Sequence, residues 1–242
     1  MTPHQKYACV DFGNTDIKVA KFIKGELTEM KRFSSEEKLF EFLPPDLPIV
    51  VSSVRSKAIE ANLKESFKEI IFIQSKLKLP FENKYSTPET LGIDRLCNAA
   101  ALSKKTEYGE KLAVDFGTCI KFDFINKKNE YLGGSIAPGL KMRFRSLSQQ
   151  TANLPLIQPG DLVKLIGQTT SESIQSGVQN GIIREVIGMT EQYEQQFPDL
   201  KVYFTGGDLQ NFDFPQKNNI FVDENLTIIG ISEIYKLNAH IH

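Results

Sequence analysis

Several features that mark other classes of protein are missing from this 242-residue sequence. It contains no run of about 18 apolar residues, so we expect no transmembrane helix. The stretch from Met1 to Lys6 lacks the apolar core of a signal peptide, and we therefore expect a cytoplasmic protein.

Cysteine is scarce, with three residues in the chain, Cys9, Cys97 and Cys119. The count is odd and no Cys-x-x-Cys pair occurs, so the sequence supports neither a disulfide framework nor a zinc site. Cys9 and Cys119 fall in predicted strands, where we expect them to be small core residues.

Histidine is also scarce, and the net charge is close to zero. The three histidines, His4, His240 and His242, lie at the chain ends, so we expect any catalytic base to be a carboxylate. The formal net charge is −1 and the two signs are interspersed, which leaves no basic face for nucleic acid. We therefore expect a small-molecule ligand, with no nucleic acid or membrane partner.

The most informative stretch present is Val10 to Lys18, an apolar strand that ends on Asp11 and turns at Gly13 into a second strand. Without a Cβ, Gly13 permits a sharp turn and close approach of backbone to an anion, and Asn14, Thr15 and nearby amides can donate to phosphate. Asp11 could hold Mg²⁺, usually through water. An ordinary hairpin turn would use the same residues.

A second copy of this pattern favours the phosphate interpretation. Val114 to Lys121 repeats Val-Asp-Phe-Gly and then Thr-x-Ile-Lys about a hundred residues later. Solenoid and propeller repeats are much shorter, about 20 to 50 residues. The spacing predicts two similar halves with a cleft between them, in which both hairpins grip one polyphosphate.

The hydrophobic pattern predicts a mixed α/β sheet of the ribonuclease-H-like kind in the first half. Three strands form a meander with a turn at Lys24-Gly25, and helices then alternate with strands. The fourth strand runs from Ile49 to Val54, and the serines that end it either contact a ligand or cap the next helix. The predicted meander strands are Tyr7 to Asp11, Ile17 to Phe22 and Leu27 to Phe33.

A third informative stretch is predicted to be a helix from Thr87 to about Leu102. Asp94 and Arg95 do not lie on the apolar face of this helix. Asp94 could deprotonate an alcohol while Arg95 offers a planar fork to a carboxylate. The alternative is a surface ion pair on an exposed helix face, which would contribute little.

The second half repeats the meander and then continues with helices. Strands are predicted from Lys111 to Asp115 and from Ile120 to Ile125. A long helix is capped by Thr169 or Thr170, and a last helix runs from Asn225 to Leu237.

Six motifs, in this order, make the sequence resemble the type III pantothenate kinase family over essentially its whole length. They are Asp11 to Lys18 (DFGNTDIK), Leu91 to Arg95 (LGIDR), Asp115 to Thr118 (DFGT), Gly133 to Gly139 (GGSIAPG), Thr170 to Gly177 (TSESIQSG) and Thr205 to Asp208 (TGGD).

The resemblance implies two ribonuclease-H-like domains of the acetate and sugar kinase, Hsp70 and actin fold, with ATP in the cleft between them. We place the domains at residues 1–106 and 107–242. The implied reaction is ATP-dependent phosphorylation of pantothenate to 4′-phosphopantothenate, the first step of coenzyme A synthesis, and a homodimer is the usual assembly.

The resemblance also implies roles for individual residues. Asp94 is the base, and Arg95 is positioned for the substrate carboxylate. Asp11 is a Mg²⁺ ligand through water, and Asp115 matches the ligand of a monovalent cation, K⁺ or ammonium. The implied ATP-binding residues are Asp11, Phe12, Gly13, Asn14, Thr15, Asp16, Ile17, Lys18 and Thr118. The implied pantothenate-binding residues are Tyr85, Gly92, Ile93, Asp94, Arg95 and Thr170, the last reaching across the dimer.

The second loop departs from the family pattern D-x-G-T-A-x-T-x-D, because Cys119 replaces Ala and Lys121 replaces Thr, while Asp123 is kept. We predict that the Lys121 ammonium reduces or replaces the need for a monovalent cation. A further departure is Thr87, which stands where the family commonly has Asn before the proline that precedes the Leu-Gly-x-Asp-Arg motif.

Two further readings stay open: a non-catalytic regulator on the same scaffold, and a kinase of another small hydroxy acid or sugar. A ribonuclease-H-type nuclease would need a tighter carboxylate cluster and a basic surface.

Overall fold

The computed structural model describes residues 5–13, 16–52, 56–161 and 163–239. Their elements divide between two compact units. Unit 1 is formed by residues 1–106, 128–132 and 225–242, and unit 2 by residues 107–127 and 133–224, as far as these are described. Each unit contains a mixed α/β arrangement, as the sequence predicts.

Unit 1 is built on a five-stranded sheet in the order β3-β2-β1-β4-β5. The first three strands are an antiparallel meander, and β4 and β5 add in parallel to β1. Lys24 and Gly25 both have positive φ in the predicted hairpin turn. The strands are β1 (Lys6–Phe12), β2 (Ile17–Ile23), β3 (Glu26–Phe33), β4 (Ile49–Val51) and β5 (Ile70–Phe72).

Helices cover both faces of this sheet. Alternation along β1 sends Ala8, Val10 and Phe12 into an apolar core beneath the first two helices. Tyr7 and Cys9 point the other way, where the Tyr7 hydroxyl lies 2.7 Å from Ser232 Oγ on the last helix. The helices of unit 1 are α1 (Glu36–Phe42), α2 (Lys57–Ser66), α3 (Ile93–Leu102) and the carboxyl-terminal helix (Leu226–Asn238).

The helix predicted from Thr87 begins later than expected. Pro88–Thr90 form one 3₁₀ turn, Leu91 and Gly92 are extended, and α3 starts at Ile93 with Gly92 as its N-cap. A two-residue strand, β6 (Glu82–Asn83), precedes this segment and was not predicted.

Unit 2 contains a sheet with the corresponding order, β11-β10-β7-β8-β9. Here β7 and β8 are antiparallel, whereas β10 and β11 add in parallel to β7. The repeated order agrees with the two similar halves predicted from the repeated hairpin. The strands are β7 (Lys111–Phe116), β8 (Cys119–Ile125), β9 (Glu130–Pro138), β10 (Lys201–Thr205) and β11 (Ile220–Val222).

The core of unit 2 lies between one face of this sheet and a long helical segment. Leu112, Val114 and Phe116 of β7 pack there against Ile182 and Val186. The helical segment is interrupted by a π-helical turn at Ser176–Asn180. The helices are α4 (Leu140–Gln150), α5 (Thr170–Gln175) and α6 (Gly181–Gln196).

The carboxyl-terminal helix, α7, is assigned to the second domain in the sequence analysis, yet it packs in unit 1. A Cβ on Gly230 would lie 1.7 Å from the carbonyl oxygen of Cys97, so α7 and α3 are in backbone contact. The buried Thr227 hydroxyl also donates to Asn98 Oδ1 at 2.8 Å. The last segment of the chain therefore helps to position α3. No helix in the described ranges is both long and apolar enough to cross a bilayer.

Candidate active site

The first hairpin that the sequence predicts to bind phosphate joins β1 to β2 in unit 1, with Asp11 opposite Lys18 and Phe12 opposite Ile17. Phe12 and Ile17 are buried in the core, so their backbone and not their side chains can face a ligand. A Cβ on Gly13 would lie 3.1 Å from the Asp16 carbonyl oxygen, which fits the predicted tight turn.

Two of the predicted phosphate-binding residues, Asn14 and Thr15, lie outside the described residues. Asp16 is partly exposed at the end of the hairpin, and its Oδ2 lies 3.8 Å from Arg32 Nη1 on β3.

Asp11 is held by a residue whose role the sequence did not reveal. Ser52 follows β4 and donates from Oγ to Asp11 Oδ1 at 2.6 Å, while its amide donates to the Val10 carbonyl. The cap of α2 is Ser56, whose Oγ accepts from the Ile59 amide. Ser52 is therefore not the cap of the next helix. Its hydroxyl group is hydrogen-bonded to Asp11 and orients that carboxylate.

Gly92 and Asp94 form a compact arrangement at the start of α3. Asp94 Oδ1 accepts a hydrogen bond from the Arg95 amide at 2.9 Å, and the helix amino terminus favours its negative charge. A Cβ on Gly92 would lie only 2.6 Å from this oxygen. Glycine at position 92 thus leaves room for the Asp94 carboxylate at the start of the helix.

Asp11 and Asp94 both influence the pKa of the same buried thiol, that of Cys97. Burial raises the pKa of Cys97, and the negative charges of Asp11 and Asp94 raise it further. The alternation of β1 places Asp11 on the sheet face covered by α7, the helix that packs on α3. Both carboxylates therefore belong to one region of unit 1, with Cys97 as a neutral core residue beside them.

Arg95 is 4% exposed, so the alternative of a surface ion pair is wrong. Its guanidinium carbon lies 5.6 Å from the ring centre of Tyr85 and 6.0 Å from that of Tyr131. A buried guanidinium beside two aromatic rings is suited to recognising an anion that approaches its edge. Tyr85 was predicted at this site, whereas Tyr131 was missed.

The second hairpin, in unit 2, places Asp115 directly opposite Lys121. Lys121 Nζ lies 2.8 Å from Asp115 Oδ2, and both side chains are largely buried. Thr118 is exposed at the tip, where a phosphate-binding side chain is expected. Cys119 is half-buried, less than predicted, and its Sγ lies 3.9 Å from Met142 Sδ.

Two glycine motifs pack directly against this hairpin. A Cβ on Gly139, before α4, would lie 2.3 Å from the Thr118 carbonyl oxygen. A Cβ on Gly206, which has φ +101°, would meet the backbone of Phe116 at 2.5 Å. The motifs Gly133 to Gly139 and Thr205 to Asp208 thus hold the shape of the second hairpin.

Thr170 is the exposed first residue of α5 and borders a cavity of about 550 Å³ within unit 2. The cap of this helix is Thr169, whose Oγ1 accepts from the Glu172 amide at 3.2 Å. Thr170 is therefore not required as the cap. The cavity is lined by Leu147, Leu154, Gly167, Gln168, Thr169, Thr170, Ser173, Ile174 and Gly177.

Asp11 is the residue here best suited to a divalent cation. Among the described residues, no group of three or more His, Cys, Asp or Glu side chains could hold a metal ion by itself. Mg²⁺ typically takes one or two carboxylates together with substrate phosphates. A single carboxylate at the predicted phosphate-binding hairpin, oriented by Ser52, fits that requirement.

Comparison with known proteins identifies close relatives. Residues 8–192 match the family model described as type III pantothenate kinase. A type III pantothenate kinase of Christiangramia forsetii is 39% identical over 236 residues, covering 95% of this chain and 97% of the relative. That of Flavobacterium johnsoniae is 36% identical over 234 residues, covering 94% and 96%.

Solved structures support the fold. A conserved protein from Campylobacter jejuni, described as a Baf family transcriptional activator, superimposes with a TM-score of 0.61 at 23% identity, covering 96% of this chain and 99% of that one. Component A of (R)-2-hydroxyglutaryl-CoA dehydratase from Acidaminococcus fermentans gives 0.51 at 10% identity, covering 97% and 99%. These likenesses confirm the predicted fold class, the acetate and sugar kinase, Hsp70 and actin fold.

Proposed function

The chain belongs to the type III pantothenate kinase family, and from this premise we propose how its residues divide the work of the reaction. The protein is an ATP-dependent kinase that phosphorylates pantothenate to 4′-phosphopantothenate in coenzyme A biosynthesis. Like other ATP-using kinases, it requires a divalent cation such as Mg²⁺. We propose a cytoplasmic location, where ATP is available.

Asp94 is the general base in this proposal. The observation that supports this role is the position of the Asp94 carboxylate, which accepts a hydrogen bond from the Arg95 amide and lies close to Gly92, at the start of the helix that carries the buried Arg95. Asp94 accepts the proton of the pantothenate hydroxyl as the oxygen attacks the γ-phosphorus of ATP. Arg95 binds the substrate carboxylate, and Gly92, Ile93 and Tyr85 complete the pantothenate contacts.

The ATP phosphates are assigned to the two hairpins. The Asp11 to Lys18 hairpin offers backbone amides, the side chains of Asn14 and Thr15 and the Lys18 ammonium. The second hairpin contributes the Thr118 side chain as a phosphate-binding group. Asp11 would hold Mg²⁺, which when bound would neutralise negative charge on the ATP phosphates. Positioning and charge neutralisation provide most of the catalysis in phosphoryl transfer, so few reactive side chains are needed.

The test is pantothenate-dependent ADP release by the purified protein with ATP and Mg²⁺, beside a panel of other hydroxy acids and sugars. Turnover with pantothenate supports the proposal. Turnover with another acceptor alone would identify a different small-molecule kinase. A folded protein that turns over no acceptor would instead favour the regulator.

We further propose that Lys121 replaces the monovalent cation that Asp115 would otherwise bind. The ammonium already lies 2.8 Å from Asp115 Oδ2 in a largely buried position. A Lys121→Met variant would leave this carboxylate without its built-in cation, a costly arrangement that favours recruitment of K⁺. Wild-type turnover should be the same in potassium and tetramethylammonium salts, whereas Lys121→Met should be stimulated about 10-fold or more by K⁺.

The matched control for this prediction is Lys127→Met, which removes an exposed lysine just after β8. This variant should behave as the wild type in both salts. Wild-type activity that strictly requires added K⁺ would contradict the role of Lys121.

We also propose a homodimer in which Thr170 contacts pantothenate bound by the partner. Leu165 and Ile166 are 82% and 78% exposed, an unusual pair of apolar side chains for a free surface. Their segment is tied to the π-helical turn, since Ser176 Oγ donates to the Leu165 carbonyl at 2.8 Å. The apolar pair therefore lies near the cavity that Thr170 borders.

Sedimentation velocity should give twice the chain mass of 27.3 kDa for the wild type. Leu165→Glu should give the monomer and raise the KM for pantothenate. Val222→Glu, at an apolar residue 64% exposed on β11, should remain dimeric. A dimeric Leu165→Glu variant would show that this surface is not the interface.

A further inference from the structure

Tyr131 is fully buried and lies at the centre of an aromatic cluster in unit 1. Its ring centre is 5.9 Å from that of Phe81 and 6.1 Å from that of Tyr85. The Arg95 guanidinium carbon lies 6.0 Å from the same ring. Tyr131, together with Tyr85, thus connects the aromatic cluster to the charged group at the start of α3.

The backbone around Tyr131 is fixed on both sides. Asn129 adopts a left-handed conformation with φ 62° in the turn before β9, and its Nδ2 donates to the Pro80 carbonyl at 2.7 Å. The start of β9 then pairs with β6, where Tyr131 lies opposite Asn83, and the Lys84 amide donates to the Tyr131 carbonyl at 2.9 Å. This pairing brings residues 128–132 back into unit 1.

The same short ladder sets the position of Tyr85. The Tyr85 amide donates to Asn83 Oδ1 at 3.0 Å, so one strand pair controls both rings that approach Arg95. Aromatic rings within about 6 Å of a guanidinium attract it, most strongly where water is excluded. Such rings act on the guanidinium plane, whereas its N–H donors lie around the edge, where a carboxylate accepts two of them.

We propose that Tyr131 is a positioning residue that fixes the orientation of the Arg95 guanidinium, and that it thereby sets the preference for an acceptor bearing a carboxylate. This inference rests on the proposed function, because the carboxylate is that of pantothenate. Tyr131 acts on Arg95 through its ring, which a phenylalanine would keep. Loss of the ring weakens recognition of the carboxylate without altering the use of ATP.

The test compares kcat/KM for pantothenate with kcat/KM for its alcohol analogue, in which CH₂OH replaces the carboxylate and the phosphorylated hydroxyl is retained. Tyr131→Leu should lower the ratio of these two constants about 10-fold, mainly through a higher KM for pantothenate. The KM for ATP should stay within about twofold, because the ATP phosphates lie elsewhere. Tyr131→Phe should restore the wild-type ratio.

Phe81→Leu is the matched control, since it removes a ring that contacts Tyr131 in the same cluster and is not among the rings over Arg95. It should leave the ratio unchanged. The ratio is measured on a single preparation and does not depend on the folded fraction. Tyr131→Met, whose flexible side chain adapts to an irregular gap better than leucine, replaces the leucine variant if that variant does not fold.

The outcomes separate the two proposals. A wild-type enzyme that phosphorylates pantothenate, together with an unchanged ratio in Tyr131→Leu, would overturn the role of Tyr131 alone. Equal falls in Phe81→Leu and Tyr131→Leu would also overturn it, because they would show a general packing effect. A wild-type protein that does not phosphorylate pantothenate would overturn both proposals.

Discussion

Asp94→Asn is expected to lower kcat for pantothenate phosphorylation by about 10²- to 10⁴-fold, the usual contribution of a placed general base. Asparagine has nearly the same shape, and its Oδ1 can still accept the hydrogen bond that the Arg95 amide donates to Asp94 at 2.9 Å. The start of α3 should therefore keep its geometry. The ability to take the hydroxyl proton is lost together with the negative charge.

The measurement is ADP release with saturating ATP and Mg²⁺ over a range of pantothenate concentrations. We expect the loss to fall on kcat, with the KM for pantothenate changed by less than about threefold, because Arg95 and its aromatic rings remain. Glu89→Gln removes an exposed carboxylate in the preceding 3₁₀ turn and should match the wild type. An Asp94→Asn enzyme with kcat near that of the wild type would exclude Asp94 as the base.

The geometry at this place also depends on Gly92. A Cβ on Gly92 would lie 2.6 Å from Asp94 Oδ1, an oxygen at the free end of a side chain. The side chain can turn away at small cost in stability, so the contact constrains the orientation of the base more than the fold. This explains how a glycine that disfavours a helix can stand directly before one.

The parts of the fold that depend on short stretches of sequence were predictable. Apolar alternation and the turn at Lys24-Gly25 indicate the meander of unit 1, because both signals lie within neighbouring residues. The repeat of the Asp11 hairpin at Asp115 predicts two similar halves, and both sheets have corresponding strand orders.

The parts that depend on distant residues were not predictable. Ser52 and Asp11 are 41 positions apart, and only the parallel pairing of β1 with β4 brings them together. Tyr131 reaches Arg95 because five residues of the second half return to unit 1. No periodicity or composition within either segment reports such a contact. The place of α7 has the same origin, since chain order alone assigns it to the second half.

Gly230→Ala is expected to cause the largest loss of stability of any single methyl group added to this protein's helices. The new Cβ would lie 1.7 Å from the Cys97 carbonyl oxygen and 2.4 Å from its carbon, both in the backbone of α3. Backbone atoms inside a helix cannot turn aside as a side chain does, so the two helices must separate. Overpacking of a core typically costs about 1–3 kcal/mol, and we expect about 3 kcal/mol or more here.

Gly188→Ala is the matched control, because Gly188 lies within α6 and a Cβ there meets nothing within 4 Å. Alanine is the better helix former by about 1 kcal/mol, so this variant should be as stable as the wild type or more so. Urea denaturation of the two variants should therefore give free energies of unfolding that differ by about 4 kcal/mol. Equal stabilities would show that α3 and α7 are not in backbone contact.

Gly230→Ala also tests whether α7 supports the active site. α3 carries Asp94 and Arg95 at its start, and the hydrogen bond from Thr227 to Asn98 fixes it to α7 one turn later. If separation of the helices moves this start, kcat should fall at temperatures where the variant is still folded. Full kcat in a folded but destabilised variant would show that the position of the base is set by Gly92 and the Arg95 amide alone, independently of the carboxyl-terminal helix.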